Sequence, residues 1–173
     1  LKVIFYDGIK KVFLAFVASL VLIRIFYRKK TLIKQYKTGL TIVILSSIMV
    51  PLAINGLKAI SNTPCPKHIK HYQGNYPDIK LFDHYPENFK QEKKVLCWPA
   101  GHASGGFSLL SLFFLFKSPG GRKKAVLAAL TLGWSTGLYK MLIGDHFLSH
   151  TLVTMMLAWI MILIINYTVT VIN

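Results

Sequence analysis

The sequence predicts an all-α protein, a single bundle of membrane-spanning helices over residues 1–173. Its 173 residues are 53% hydrophobic, too apolar for an ordinary soluble domain, and the chain is too short for more than one compact unit. Mean hydropathy is +0.48. Apolar runs that approach the roughly 20 residues needed to cross a bilayer alternate with short polar segments. A multi-pass membrane protein is therefore the predicted class.

Five apolar runs follow one another, and each predicts one transmembrane helix: residues 12–27, 40–60, 99–116, 125–143 and 147–171. The chain begins at Leu1 without the basic, apolar and small-residue regions of a signal peptide, so we expect none. The basic loop after the first helix is expected in the cytoplasm, so strict alternation starts Leu1 on the outer side. A six-helix parent whose first helix is missing here would satisfy that parity.

The basic residues predict the orientation of the bundle. The chain has 21 Lys and Arg against 6 Asp and Glu. Clusters at residues 28–30 and 122–124 lie in short loops, which the positive-inside rule places in the cytoplasm. Residues 61–98 then form an extracytoplasmic loop. No aromatic-basic surface motif accompanies the clusters, so we expect no nucleic acid partner.

Three histidines and two lysines are predicted to meet at the outer face. Lys58 ends the second helix, His102 begins the third, Lys140 lies near the end of the fourth, and His146 and His150 begin the fifth. Residues four apart share one face of a helix, so both imidazoles of the last pair point into the same space. Titratable residues at the ends of membrane helices are costly to place there, and by default they indicate function.

Two chemistries suit this group. The three histidines could form a zinc site, but such a site needs orienting carboxylates, and Asp145 is the one acid after Trp98. Lysines favour an anion instead. The region of Gly101 and Gly105-Gly106 at a helix start offers backbone N–H groups to phosphate oxygens. A neutral imidazole can attack phosphorus while a protonated one supplies a proton to the leaving oxygen. We therefore predict a phosphate site with no metal and no cofactor.

The spacing resembles the three motifs of the type 2 phosphatidic acid phosphatase superfamily, K-x6-R-P, P-S-G-H and S-R-x5-H-x3-D. The corresponding residues are Lys58 with Cys65-Pro66, then Pro99-Ala100-Gly101-His102, then Tyr139-Lys140 with His146 and His150. The resemblance implies His146 as the nucleophile that forms a phosphohistidine, His102 as the general acid, and Lys58 with Lys140 as phosphate ligands. It implies hydrolysis or transfer of an anionic lipid phosphate; a non-catalytic membrane binding or transport protein is the alternative.

Five positions depart from the family motifs: Cys65 for Arg, Ala100 for Ser, Tyr139 for Ser, Lys140 for Arg and His150 for Asp. Lysine keeps the charge of arginine but loses its bidentate geometry. A neutral His150 could fix the tautomer of the His146 imidazole through Nδ1, but it brings no negative charge. We interpret the pattern as a divergent active subfamily.

Cys65 and Cys97 are the only cysteines, and they lie at the two ends of the outer loop. If the protein lies in a bacterial inner membrane with its site on the periplasmic side, that compartment is oxidising and favours a disulfide. Two free buried thiols are the alternative. With Cys65 in a disulfide, the charge of the family's arginine must come from another residue, and Lys67 is a candidate.

Overall fold

A computed structural model describes residues 8–172, and in that range every regular element is helical. The α-helices are α1 (Ile9–Phe26), α2 (Thr31–Gln35), α3 (Lys37–Ser61), α4 (Gly101–Ser108), α5 (Pro119–Leu142) and α6 (Leu148–Ile172). Short 3-10 helices cover Pro66–His68, Lys70–Tyr72 and Leu109–Phe114, the last continuing α4. The all-α prediction is confirmed for this range. Residues 1–7 and 173, which the sequence-based prediction included in the bundle, lie outside the described residues.

Two helical segments are long and apolar enough to cross a membrane, judged by length and composition. They are Lys37–His68, which is α3 with the turns that follow it, and Leu148–Ile172. The predicted count of five spanning helices is not confirmed. Among the described helices, α1 carries three cations in 18 residues, α4 has 8 residues, and α5 begins with a basic cluster.

The short helix α4 lies at the centre of the bundle, where it packs against α3, α5 and α6. Its sequence, GHASGGFS, is rich in small residues, which let neighbouring helices approach closely. A Cβ atom at Gly106 would collide with the backbone of Gly133 on α5. Phe107 fills the adjacent space and is fully buried with Ile54, Ala158 and Ile162 in the main core. The glycine contact therefore fixes the distance between α4 and α5.

The loop from α3 to α4 is tied together at its two ends. The predicted disulfide between Cys65 and Cys97 is present, with Cα atoms 5.2 Å apart. Ser61 Oγ donates a hydrogen bond to the Trp98 carbonyl at 2.6 Å, and the Cys97 N–H donates to the Thr63 carbonyl at 3.2 Å. These bonds hold the start of α4 beside the end of α3.

Candidate active site

The structure brings the five predicted site residues to one end of the bundle. Lys140, His146 and His150 are buried, with 3%, 4% and 5% of their surfaces exposed. The charges of Lys58 and Lys140 both act on His102. The charge of Lys58 also acts on His146 and on His150. Residues from four helices and one turn thus share a single electrostatic environment, although they are far apart in the sequence.

The two histidines of the third motif contact each other edge to face. Their ring centroids are 5.7 Å apart, with the ring planes at 63°. His150 Nδ1 lies 3.0 Å from the carbonyl oxygen of Cys97 and must donate to it, because a carbonyl only accepts. His146 Nδ1 is buried without a hydrogen-bond partner among the described residues. The expectation that His150 fixes the His146 tautomer through Nδ1 is therefore wrong.

Thr154 connects the second and third motifs. Its hydroxyl accepts a hydrogen bond from the Ala100 N–H at 2.9 Å and donates one to the His150 carbonyl at 2.9 Å. Ala100 immediately precedes α4, so this hydroxyl joins the start of α4 to the first turn of α6. It also satisfies a buried backbone donor, which is costly to leave unpaired. No sequence pattern indicated this role, since threonines are common in membrane helices.

Burial lowers the pKa of His146 to about 3, and the positive charge of Lys58 acts in the same direction. His146 lies in the turn between α5 and α6, outside both helices. Because its pKa is lowered this far, the His146 imidazole is neutral near neutral pH. A neutral imidazole has the lone pair that a nucleophile needs.

Asp145 bridges two lysines beside the histidines. Its carboxylate lies 2.6 Å from Lys67 Nζ and 2.8 Å from Lys140 Nζ. Burial alone would raise the pKa of Asp145, but the hydrogen bonds from Lys140 and Lys67 outweigh it, so the pKa is lowered. Asp145 was missed as a site residue, although its position next to His146, as the one acid in that half of the chain, was a usable signal.

A backbone contact places Lys67 in this group. The Lys67 N–H donates to the Gly144 carbonyl at 3.0 Å. Gly144 has a φ of +71°, and a Cβ there would lie 3.0 Å from Lys67 Cβ, so glycine suits both the turn and the close approach. The turn that carries His146 is thereby fixed to the disulfide-bonded loop.

Gly101 has a packing role next to Lys58. A Cβ at Gly101 would lie 3.1 Å from Asn55 Oδ1 and 3.8 Å from Lys58 Nζ. The first turn of α4 therefore lies beside the Lys58 ammonium. The backbone N–H groups of a first helical turn have no hydrogen-bond partner within the helix. The neighbouring glycines differ in role: Gly106 packs against α5, which removes the sequence-based reason to assign it to phosphate.

A group of potential metal ligands lies outside the five predicted site residues. Among the described residues, the ligand atoms of Cys65, His68 and Cys97 all lie within 4.8 Å of one another. The two sulfurs of this group are joined in the disulfide, so they are not thiolates, the form in which cysteine binds metals.

The fold and the site define a helical bundle with buried imidazoles and lysines gathered at one end, an arrangement suited to an anion. The model of the PAP2 superfamily matches residues 37–172, and the chain belongs to this superfamily. The match includes all three motifs. Members of the superfamily are generally phosphatases, which indicates a phosphoester hydrolase in general and association with a membrane. Searches of curated proteins and of solved structures found no match.

Proposed function

We propose that this protein is a multi-pass membrane enzyme that removes or transfers the phosphoryl group of an anionic lipid phosphate through a phosphohistidine at His146. The observation that carries the proposal is the neutral, buried His146 imidazole, which lies within the electrostatic reach of Lys58. A partly buried cation whose charge acts on a neutral nucleophile favours a substrate that brings negative charge.

The reaction divides into two steps. A ring nitrogen of His146 attacks phosphorus, and the bond from phosphorus to the lipid oxygen breaks. His102, whose protonated form is stabilised by the negative charge of the bound phosphate, gives its proton to the leaving oxygen. Water then attacks the phosphohistidine, and His102 takes a proton from that water. Inorganic phosphate leaves, and both histidines return to their starting forms. An acceptor hydroxyl in place of water would make the same site a phosphotransferase.

Three lysines supply the positive charge for the phosphate oxygens. Lys58 is the lysine of the first family motif, and Lys140 stands where the third motif has arginine. Lys67 supplies the charge of the first motif's arginine, whose position is occupied by Cys65. Support for Lys67 comes from its salt bridge to Asp145, which also binds Lys140. Half of the Lys67 side chain is exposed, with a relative exposure of 49%, so it can exchange Asp145 for a substrate oxygen. With Asp145, these charges sum to two positive charges, which complements a phosphomonoester dianion.

The substrate class follows from where the site lies along the helices. Lys58 lies in the last turn of α3, one of the two helices in the described part of the chain that are long and apolar enough to cross a membrane. A phosphate group bound at the end of such a helix lies at the level of the lipid headgroups of the bilayer. We propose that the site faces the periplasm from a bacterial inner membrane, an oxidising location that agrees with the Cys65–Cys97 disulfide.

The decisive experiment measures phosphate release from phosphatidic acid by the detergent-solubilised chain with chelator present. We expect turnover that His146→Ala abolishes, while a matched histidine variant in the exposed part of the loop, His71→Ala, keeps it. No release from wild-type protein would support a non-catalytic binding or transport role. Activity lost in chelator and restored by zinc would assign the histidines to a metal.

A further inference from the structure

A cavity with both polar and apolar walls lies at the end of the bundle opposite to the histidines. Its volume is about 220 Å³, below the ~300–1,000 Å³ of pockets for drug-sized ligands, so it suits a headgroup. Its walls are formed by the end of α2, the start of α3, the end of the 3-10 helix with the turn that follows, and single residues of α5 and α6. The residues that carry the argument are Tyr36, Phe114, Lys117, Arg122 and Asn166.

The distance between this cavity and the histidine site matches the thickness of a bilayer. Arg122 and Lys140 are 18 positions apart on α5, which is about 27 Å at the helical rise of 1.5 Å per residue. Gly39 lines the cavity, and it precedes Lys58 on α3 by 19 positions, or about 28 Å. The hydrocarbon core of a bilayer is about 30 Å thick. The two sites therefore lie at the levels of opposite headgroup layers.

Two cations are held at the cavity wall by aromatic and backbone contacts. Lys117 Nζ lies 5.0 Å from the centroid of the Tyr36 ring. Arg122 Nε donates to the Phe116 carbonyl at 2.9 Å, and its guanidinium lies 5.1 Å from the Phe113 ring centroid. Only one of the five N–H donors of an arginine is used by that hydrogen bond. The group is thus oriented before a ligand arrives, which reduces the entropy lost on binding.

The surroundings of the cavity favour an anion with an apolar tail. After Asp7, all acids of the chain lie in the outer loop or at Asp145, so no carboxylate of the described residues competes at this end. Asn166 adds an amide from within the membrane-length helix α6, where polar residues are uncommon without a function. Ile42 and Phe114 form an apolar wall on the side that continues into the helices.

We propose that this cavity binds the phosphodiester headgroup of an anionic membrane lipid in the leaflet opposite to the active site. Lys117 and Arg122 bind the phosphate oxygens, Asn166 hydrogen-bonds the polar headgroup, and the acyl chains extend along the apolar wall. Cations near a membrane surface attract anionic lipids in general, but a defined cavity predicts saturable binding at one place. The inference rests on the membrane placement proposed above and is independent of the chemistry at His146.

The test measures lipid binding to the full chain in neutral detergent, with His146→Ala as background so that no ligand is consumed. The probe is dioctanoyl phosphatidylglycerol; dioctanoyl phosphatidylcholine and glycerol 3-phosphate serve as zwitterionic and tail-free comparisons. We expect saturable binding of the anionic lipid that is about 30-fold weaker in Lys117→Gln with Arg122→Gln, from the loss of two surface cations. Neither comparison ligand should bind as tightly.

The matched control is Lys123→Gln with Lys124→Gln, which removes the same charge from neighbouring exposed positions that do not line the cavity. It should change the affinity by less than about threefold because exposed charges at a distance are screened. Asn166→Leu keeps all charges and should weaken binding severalfold even if Arg122 variants fold poorly. Equal losses in both double variants, or equal binding of phosphatidylcholine or glycerol 3-phosphate, would overturn the proposal. Phosphatase activity is assayed separately on the protein that keeps His146. Failure of the lipid-binding proposal can therefore be distinguished from failure of the proposed function.

Discussion

His150 Nδ1 donates a hydrogen bond to the carbonyl oxygen of Cys97 at 3.0 Å, which joins the first turn of α6 to the disulfide-bonded end of the loop. The family motif has an aspartate at this position. A carboxylate could not make this bond, because both it and the carbonyl are acceptors. The substitution of His for Asp therefore fits the backbone that this chain has around Cys97.

The first prediction follows from this bond. Asparagine carries its amide nitrogen where histidine carries Nδ1, so His150→Asn should retain most of the stability. His150→Ala leaves the carbonyl without its donor and should lower the free energy of unfolding by ~1–3 kcal/mol. His150→Asp, although it restores the family residue, should be at least as destabilising as alanine. Thermal unfolding of the three variants gives the order, and a fully stable aspartate variant would contradict the bond.

The second prediction concerns the lysines that Asp145 binds. Lys67→Gln should raise KM for a lipid phosphate roughly tenfold or more, since hydrogen bonds to charged groups contribute ~1.5–3 kcal/mol, with a smaller change in kcat. Asp145→Asn should lower the inhibition constant of inorganic phosphate, because the competing carboxylate charge is gone. Lys70→Gln, an exposed lysine in the next turn, is the control. Equal KM values for the two lysine variants would remove Lys67 from the site.

The third prediction separates the roles of His102 and His146. Both His102→Ala and His146→Ala should abolish turnover of a lipid phosphate, whose alkoxide is a poor leaving group. With an aryl phosphate, which needs no proton to leave, only His102→Ala should still form the phosphoenzyme. Radiolabelled phosphate retained on the denatured protein measures that intermediate. Label retained by the His146→Ala variant would assign the nucleophile to another residue.

The fourth prediction is a dependence of stability on pH. Burial lowers the pKa of His146 to about 3 in the folded protein, against about 6.5 for an unperturbed histidine. Between these values the unfolded chain binds a proton that the folded protein does not, so the free energy of unfolding should decrease as the pH falls through this window. The His146→Asn variant lacks this titration and should lose less stability over the same range. Parallel unfolding curves for the two proteins would mean that His146 is not buried.

The sequence was sufficient for the elements and motifs that depend on local pattern. Four of the five apolar runs match the helices to within three residues at each end, whereas α5 begins six residues before its run. The two cysteines at the ends of one loop predicted the disulfide. The predicted number of five spanning helices is not confirmed, because α4 has 8 residues and α5 begins with a basic cluster. The roles of Asp145 and Thr154 depend on contacts between segments that a linear pattern does not contain. The glycine contact between α4 and α5 is of the same kind.

The fifth prediction tests that contact, between Gly106 and Gly133. A Cβ at position 106 would lie 2.6 Å from Gly133 Cα and 2.8 Å from the Leu132 carbonyl carbon, and backbone atoms cannot rotate away as side chains do. The helices α4 and α5 must therefore move apart, which should cost ~1–3 kcal/mol of stability. Because α4 carries His102 and α5 carries Lys140, the same movement should lower kcat.

Gly56→Ala provides the matched control for this prediction. Gly56 lies two residues before Lys58 in α3, and a Cβ there meets nothing within 4 Å. Replacing a glycine inside a helix with alanine should then stabilise the protein by ~0.5–1 kcal/mol and leave kcat unchanged. Unfolding temperatures and kcat of the two alanine variants measure the difference. If Gly106→Ala were as stable and active as Gly56→Ala, contact between α4 and α5 at these glycines would not position His102.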